Sequence, residues 1–243
     1  MTNNNEAKIL LWDIESTHLK ADWATLLCIG WKWYQDPEVH VPSIMDYPKW
    51  KQDVTDDRGL VASFHKVMSE ADMLVTYFGK GFDIKMIQSK FLEYGLPVLP
   101  NIPHVDLFFT VKANMTLTRK SLDNVSRYLE LENEKSYVSG KIWKKAMAGH
   151  AEAINYVIEH CKADVLVLEE LYTKLRPMVR THPRIAEYGT CSNCGSNKLQ
   201  RRGYALTTTQ GKRVRAQCQD CGAWHSFPEI QIMKGKVHLD GVR

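Results

Sequence analysis

Apolar and polar positions divide the chain into short strands and amphipathic helices. Residues 8–13 form an apolar run that predicts a first strand, and residues 25–34 (TLLCIGWKWY) a second, β-rich and aromatic. The segment between them, 16–23, is short enough for an antiparallel connection. Residues 39–44 read as a third strand, 73–77 as a short apolar one and 104–107 as another. Helical spacing runs through Leu60, Phe64 and Met68 in residues 56–70. Residues 82–94 predict a helix stopped by Gly95 and Pro97. Residues 121–131 start on a Ser cap and repeat Leu122, Val125 and Leu129. Residues 152–175 carry one long helical pattern, or two helices, ended by Pro177. Strands followed by alternating strands and helices indicate an α/β or α+β layer fold around one mixed sheet.

The 243 residues allow one large domain and one small one. We expect a main domain over 1–178, a linker over 179–189 within a stretch, 176–190, that has two prolines and a glycine, and a second unit over 190–243. Charge changes the picture only when it is divided. The net charge is +4, yet from Thr190 onward there are nine Lys/Arg against three Asp/Glu, so all the excess is in the tail. A basic appendage on a near-neutral body points to a polyanion partner. The polar start lacks an apolar signal core, and no apolar run approaches the ~20 residues of a membrane helix. The expectation is a cytoplasmic protein without membrane contact, whose six cysteines are thiols or ligands rather than disulfides.

Four carboxylates carry the candidate chemistry. Asp13 and Glu15 end the first apolar run (Ile9-Leu10-Leu11-Trp12-Asp13-Ile14-Glu15-Ser16-Thr17), where a period of two puts both on one face. Adjacent carboxylates repel unless a cation lies between them, and hard divalent cations want oxygen ligands. Asp83 follows in Gly81-Phe82-Asp83-Ile84 and Asp164 in His160-Cys161-Lys162-Ala163-Asp164-Val165. Each piece alone has an ordinary reading: a solvated acid pair, a helix-start Asp, a surface acid.

Together, in this order, they resemble the DEDD 3′–5′ exonucleases, which have the ribonuclease-H-like fold of proofreading exonucleases. The resemblance covers roughly residues 8–175. Asp13-Ile14-Glu15-Ser16-Thr17 is similar to the family's first motif, and Tyr77-Phe78-Gly79-Lys80-Gly81-Phe82-Asp83-Ile84 to its second. His104-Val105-Asp106-Leu107 and Ser121-Leu122-Asp123-Asn124-Val125 are similar to the connecting text, and the segment from His160 to Asp164 to the third motif. The resemblance implies that Asp13, Glu15, Asp83 and Asp164 hold two Mg²⁺ or Mn²⁺ ions about 3.5–4 Å apart, with Asp13 bridging them. It implies that His160 orients or deprotonates the attacking water, an imidazole's role near neutral pH. The family places Tyr four residues before the last Asp, or His five before it. Here His160 occupies the four-residue spacing, which on a helix shares a face with Asp164. A His satisfied by a neighbour is the ordinary alternative, and Tyr156, one turn earlier, is the fallback. His18 stands where the first motif more often continues with Gly, beside Thr17, which is expected to cradle the terminal nucleotide.

In the tail, Cys191-x-x-Cys194 and Cys218-x-x-Cys221 form two knuckles, each followed by Gly (Gly195, Gly222). Four thiolates on two knuckles suit one tetrahedral, structural Zn²⁺. The pattern is similar to a zinc ribbon, with two disulfides as the alternative in an oxidising compartment. The insert is expected to be a hairpin with Thr207, Thr208 and Thr209 on one arm and Gln210, Gly211 and Lys212 at the turn. Arg201, Arg202, Lys212, Arg213, Arg215 and Trp224 combine cations with an aromatic face, which suits single-stranded nucleic acid. A solvated basic face and a protein-docking ribbon are the alternatives. Cys28 and Cys161 fall outside the pattern and are expected to pack as small apolar side chains.

The expected fold is thus α/β, a ribonuclease-H-like mixed sheet flanked by helices, plus a small β-rich zinc ribbon. The expected function is metal-dependent 3′–5′ exonuclease action on single-stranded DNA or RNA. A nucleic-acid-binding protein with a degenerate site, and a structure-specific endonuclease on the same fold, are the alternatives.

Overall fold

The computed structural model describes residues 7–133, 136–179, 182–183, 189–208, 211–229, 232 and 238–239. Two compact units divide the chain, Lys8–Thr173 and a second made of Lys174–Arg243 with Met1–Ala7.

In the first unit, β1 (Ile9–Ser16) pairs antiparallel with β2 (Leu26–Trp33) and parallel with β3 (Met73–Thr76). β3 pairs parallel with β4 (His104–Asp106), giving the mixed order β2-β1-β3-β4. Alternation along β1 separates its two faces. Leu10, Trp12 and Ile14 point into a core with Leu60, Phe64 and Met68 of α1 (Arg58–Ser69) and Met86, Ile87 and Phe91 of α2 (Asp83–Glu93). The other face meets α6 (Ala151–Leu175), whose Ile154, Val157 and Cys161 join Leu27 and Cys28 of β2 in a second core. The helices α3 (Leu107–Asn114), α4 (Leu122–Tyr128) and α5 (Gly140–Met147) complete the unit.

Two features set the position of α6 against β1. Gly30 of β2 lies opposite Asp13, and a methyl group there would stand 2.7 Å from Cys161 Sγ and 2.9 Å from Val165 Cγ2. Only hydrogen at that position lets the helix approach the sheet this closely. One turn on from Val165, Glu169 accepts from Lys32 Nζ, whose side chain is buried, and from the Gln35 amide at 2.8 Å. The register between β1 and β2 shifts at Glu15, which pairs with Cys28 while Ser16 pairs with Leu26. The bulge this leaves in β2 adds local twist beside the candidate site.

The structure corrects several expected elements. Residues 39–44 form no strand; they contribute two isolated bridges, Trp31 to His40 and Cys28 to Ser43, then a 3₁₀ turn over Ile44–Asp46. The long helical pattern over 152–175, by contrast, is one continuous helix, Ala151–Leu175. The helices α3 and α5 had no counterpart in the hydrophobic pattern. No helix among the described residues is long and apolar enough to cross a membrane.

The second unit is a three-stranded antiparallel sheet, β5 (Leu199–Thr207), β6 (Gly211–Cys218) and β7 (Trp224–Pro228), over a small core that includes Cys191, Leu199, Cys218 and Phe227. Gly211 and Lys212 fall in β6 rather than in the turn, while Thr209 and Gln210 lie outside the described residues. Most of the expected linker, 179–189, lies outside them as well.

Candidate active site and zinc ribbon

Period-two alternation on β1 brings Asp13 and Glu15 to the face that meets α6. From that helix His160 and Asp164, four residues apart and both buried, reach back toward the strand. One ligand atom from each of Glu15, His160 and Asp164 lies within 4.8 Å of the other two. His160 Nε2 stands 3.5 Å from Glu15 Oε1 and 3.9 Å from Asp164 Oδ2. Its other nitrogen, Nδ1, is 2.7 Å from Ser136 Oγ.

Asp13 and Asp83 are outside that tight cluster but border it. Asp13 and Asp164 both line an open cleft of about 650 Å³, together with Tyr77, Phe78, Phe108, Thr118, Lys120 and Ser121. The Cys161 thiol lies 3.7 Å from the Asp13 carbonyl and 4.0 Å from its carboxylate. Asp83 opens α2 and is only 4% exposed. Burial pushes its carboxyl up to about 7; the backbone amides of Asp83 and Ile14 oppose the shift, and the charge of Asp106 adds to it. Contact with the amide of Ile14, the residue between Asp13 and Glu15, puts Asp83 beside β1. A carboxyl held near neutrality by desolvation is one that a nearby cation would ionise. The carboxylates of Glu15 and Asp164, with Asp13 on the same cleft, offer the oxygen donors that hard divalent cations take.

Sequence reasoning missed two supporting residues. Ser136 meets His160 across 24 residues, a separation at which sequence carries no signature. Asp106 is buried and accepts from the amides of Phe78 at 2.8 Å, Lys80 at 3.0 Å and Phe108 at 3.1 Å. It thereby holds the loop leading to Asp83, including Phe78 in the left-handed region at φ 66°. Its signal was present as the acid ending the short strand HVD. Cys28 and Cys161 are buried, as expected, and touch each other; both thiols are pushed up, Cys28 by burial and Cys161 by its contact with Cys28 and then by burial. Tyr156 turns aside, donating to the Tyr137 carbonyl at 3.2 Å. Thr17 Oγ1 accepts from the Thr25 amide at 2.9 Å and so closes the loop after β1.

A family model described as RNase_H superfamily matches residues 10–176, more than half the chain. The chain belongs to the RNase H superfamily. Its fold is similar to that of the family B DNA polymerase from the hyperthermophilic archaeon Pyrobaculum calidifontis, at TM-score 0.58 and 19% identity. That likeness covers 70% of this chain and 25% of the polymerase chain, so this RNase H superfamily member spans only a quarter of that relative. Brucella melitensis NrnC matches at TM-score 0.46 and 19% identity, over 71% of this chain and 74% of that one. No curated protein sequence matches the chain.

In the second unit of this RNase H superfamily protein, the sulfurs of Cys191, Cys194, Cys218 and Cys221 lie within 4.8 Å of one another. Cys191 and Cys221 are 3.5 Å apart and Cys194 and Cys218 3.6 Å, with no disulfide. A Zn–S bond of ~2.3 Å in a tetrahedron requires sulfur separations of about 3.8 Å, so the four thiols fit one zinc. Gly195 and Gly222 adopt φ of 77° and 73°, and their amides reach back to the carbonyls of Cys191 and Cys218 at 2.8 and 3.0 Å. Each knuckle needs glycine there, because a side chain resists the left-handed region. Asn193 Nδ2 at 3.8 Å from Cys221 Sγ and His225 Nε2 at 3.1 Å from Cys191 Sγ surround the sulfurs. The unit is a zinc ribbon.

Proposed function

We propose that this protein is a metal-dependent 3′–5′ exonuclease that hydrolyses phosphodiester bonds in single-stranded DNA or RNA, with the ribbon adding a grip on the strand. The supporting observation is the convergence of Glu15, His160 and Asp164 within 4.8 Å, beside a cleft that Asp13 also lines. RNase H superfamily membership, and a fold similar to a chain named as a DNA polymerase, support nucleic acid as the substrate.

Asp13, Glu15, Asp83 and Asp164 would hold two Mg²⁺ or Mn²⁺ ions, which when bound supply Lewis acidity and offset charge on the phosphate. His160 takes the proton of the attacking water at Nε2. With Nδ1–H donating to Ser136 Oγ, Nε2 keeps its lone pair toward the site. The water oxygen bonds to phosphorus as the bond to the 3′ oxygen of the preceding nucleotide breaks, and that oxygen takes a proton from solvent. The products are a 5′-mononucleotide and a strand with a free 3′ hydroxyl. Phe78, half exposed and set edge-on to Phe108 at 4.9 Å, offers an aromatic wall to the bases, and Lys120 offers a cation to the backbone.

Linear and circular single strands of the same sequence test the exonuclease reading. Shortening of the linear strand from its 3′ end with the circle left intact is the expected result. Cutting of the circle would support an endonuclease instead.

A further inference from the structure

The basic and aromatic residues of the ribbon do not form one surface. Residues paired directly across an antiparallel sheet share a face. Val214 pairs with Tyr204 and Phe227, and Lys212 with Leu206, so Tyr204, Lys212 and Leu206 lie on the same face as buried Val214 and Phe227. Arg201, paired with buried Ala216, belongs to that face too. Arg213 and Arg215 alternate with these residues on β6 and pair with Pro228 and Ser226 of β7. Gln217 pairs with Trp224, so Arg213, Arg215 and Trp224 occupy the opposite face.

The two faces differ in how their charge is used. Around Tyr204 the cations are already engaged: Arg201 donates to the Tyr204 hydroxyl, and Lys212 lies over the ring at 3.9 Å while pairing with Glu229 at 3.3 Å. On the other face, Arg213 is held by Ser226, through Oγ at 2.9 Å and the carbonyl at 2.6 Å, neither of which neutralises it. Arg215 stacks on Trp224 at 4.6 Å, and Trp224 is 52% exposed. Among the described residues, no carboxylate pairs with either arginine. Two ordered guanidinium groups follow one strand at a spacing of ~7 Å, beside an indole open to solvent. That arrangement is complementary to a charged backbone carrying unstacked bases.

We propose that the face carrying Arg213, Arg215 and Trp224 is where the ribbon binds single-stranded nucleic acid, and that the Tyr204 face does not take part. The choice of polyanion rests on the nuclease reading above. Fluorescence anisotropy of the full-length, zinc-loaded protein with a labelled oligothymidine, without added Mg²⁺ or Mn²⁺, tests it. Substituting Arg213→Ala with Arg215→Ala should weaken binding at least tenfold and flatten the log–log salt slope by about 1.4, since each phosphate contact to a single strand contributes ~0.7. Trp224→Ala should weaken single-strand binding several-fold and duplex binding less. Tyr204→Ala with Lys212→Ala should stay within twofold of the parent. Each variant is compared at equal zinc content, so an unfolded ribbon is not mistaken for a lost contact. An unchanged affinity in the arginine variant, as a protein-docking face would give, overturns the proposal. So does an equal loss in the Tyr204 variant. Cleavage by the parent with Mn²⁺, measured in parallel, separates the two readings: cleavage with an unchanged arginine variant removes only the face assignment, and binding through this face without cleavage removes only the nuclease.

Discussion

His160 Nε2 lies 3.5 Å from Glu15 Oε1, which ties the last helix of the first unit to its first strand. The contact puts an imidazole among carboxylates, where it can accept a proton and pass it to solvent. If it does, His160→Ala lowers kcat on the order of 10²–10⁴-fold and leaves oligonucleotide affinity nearly unchanged. Ser136→Ala, which leaves Nδ1 without its hydroxyl, costs less because the ring keeps its place on α6 but loses the contact that orients it. Steady-state kinetics of both variants across pH check this, and a fully active His160→Ala would remove the histidine from the mechanism.

Gly30 is where helix and strand come closest, so it is also where one methyl group does most harm. Gly30→Ala brings carbon to 2.7 Å from Cys161 Sγ, and α6 has to move outward. Denaturant unfolding should show a loss of about 1–3 kcal/mol, the usual range for overpacking. Activity should fall further than stability accounts for, because Asp164 and His160 travel with the helix.

Asp83 makes a prediction about pH. Its folded carboxyl titrates near 7, above the usual 3.8, because it is buried. A raised carboxyl contributes stability that is complete below pH ~4 and is lost as pH rises toward ~7. The metal-free protein should therefore lose melting temperature over that window relative to Asp83→Asn, which does not titrate. Mg²⁺ or Mn²⁺ should raise the melting temperature more at pH 8 than at pH 5. Calorimetry with and without cation measures both, and a flat difference between parent and variant would contradict it.

A ribbon of about 50 residues buries little apolar surface, so bound zinc would supply most of its folding free energy. Elemental analysis should find one zinc per chain. Chelation, or Cys191→Ser with Cys194→Ser, should abolish zinc binding and make the tail protease-sensitive while residues 8–173 keep their own unfolding transition.

The fold could be read from sequence where local pattern and tertiary burial agree. The run ending in Asp13 and Glu15 became a strand buried on both faces, with the acids at its open end. The pattern misled over residues 39–44, where Val39 and Val41 suggested a strand but the chain makes only single bridges. It was silent on α5, whose apolar stripe of Ile142, Trp143 and Ala146 packs on the second core but spans only eight residues, too few for the helical period to repeat. The fourfold cysteine spacing was legible because one ion constrains all four ligands. Contacts such as Ser136 with His160, or Asp106 with the Phe78 amide, join segments 24 and 28 residues apart and depend on the finished fold. The ribbon's two faces were hidden for a similar reason: their membership follows from strand register, which shifts between Arg201 and Tyr204.

The central claim is that carboxylates gathered at β1, α2 and α6 perform cation-dependent phosphodiester hydrolysis. The most direct measurement follows a 5′-labelled single-stranded oligonucleotide on a denaturing gel with Mg²⁺ or Mn²⁺, for the parent and for Asp13→Ala. The account predicts a ladder of progressively shorter labelled strands from the parent, none without cation, and at least a 10²-fold slower ladder from the variant. Equal degradation by both proteins, or none by the parent with either cation, would contradict it.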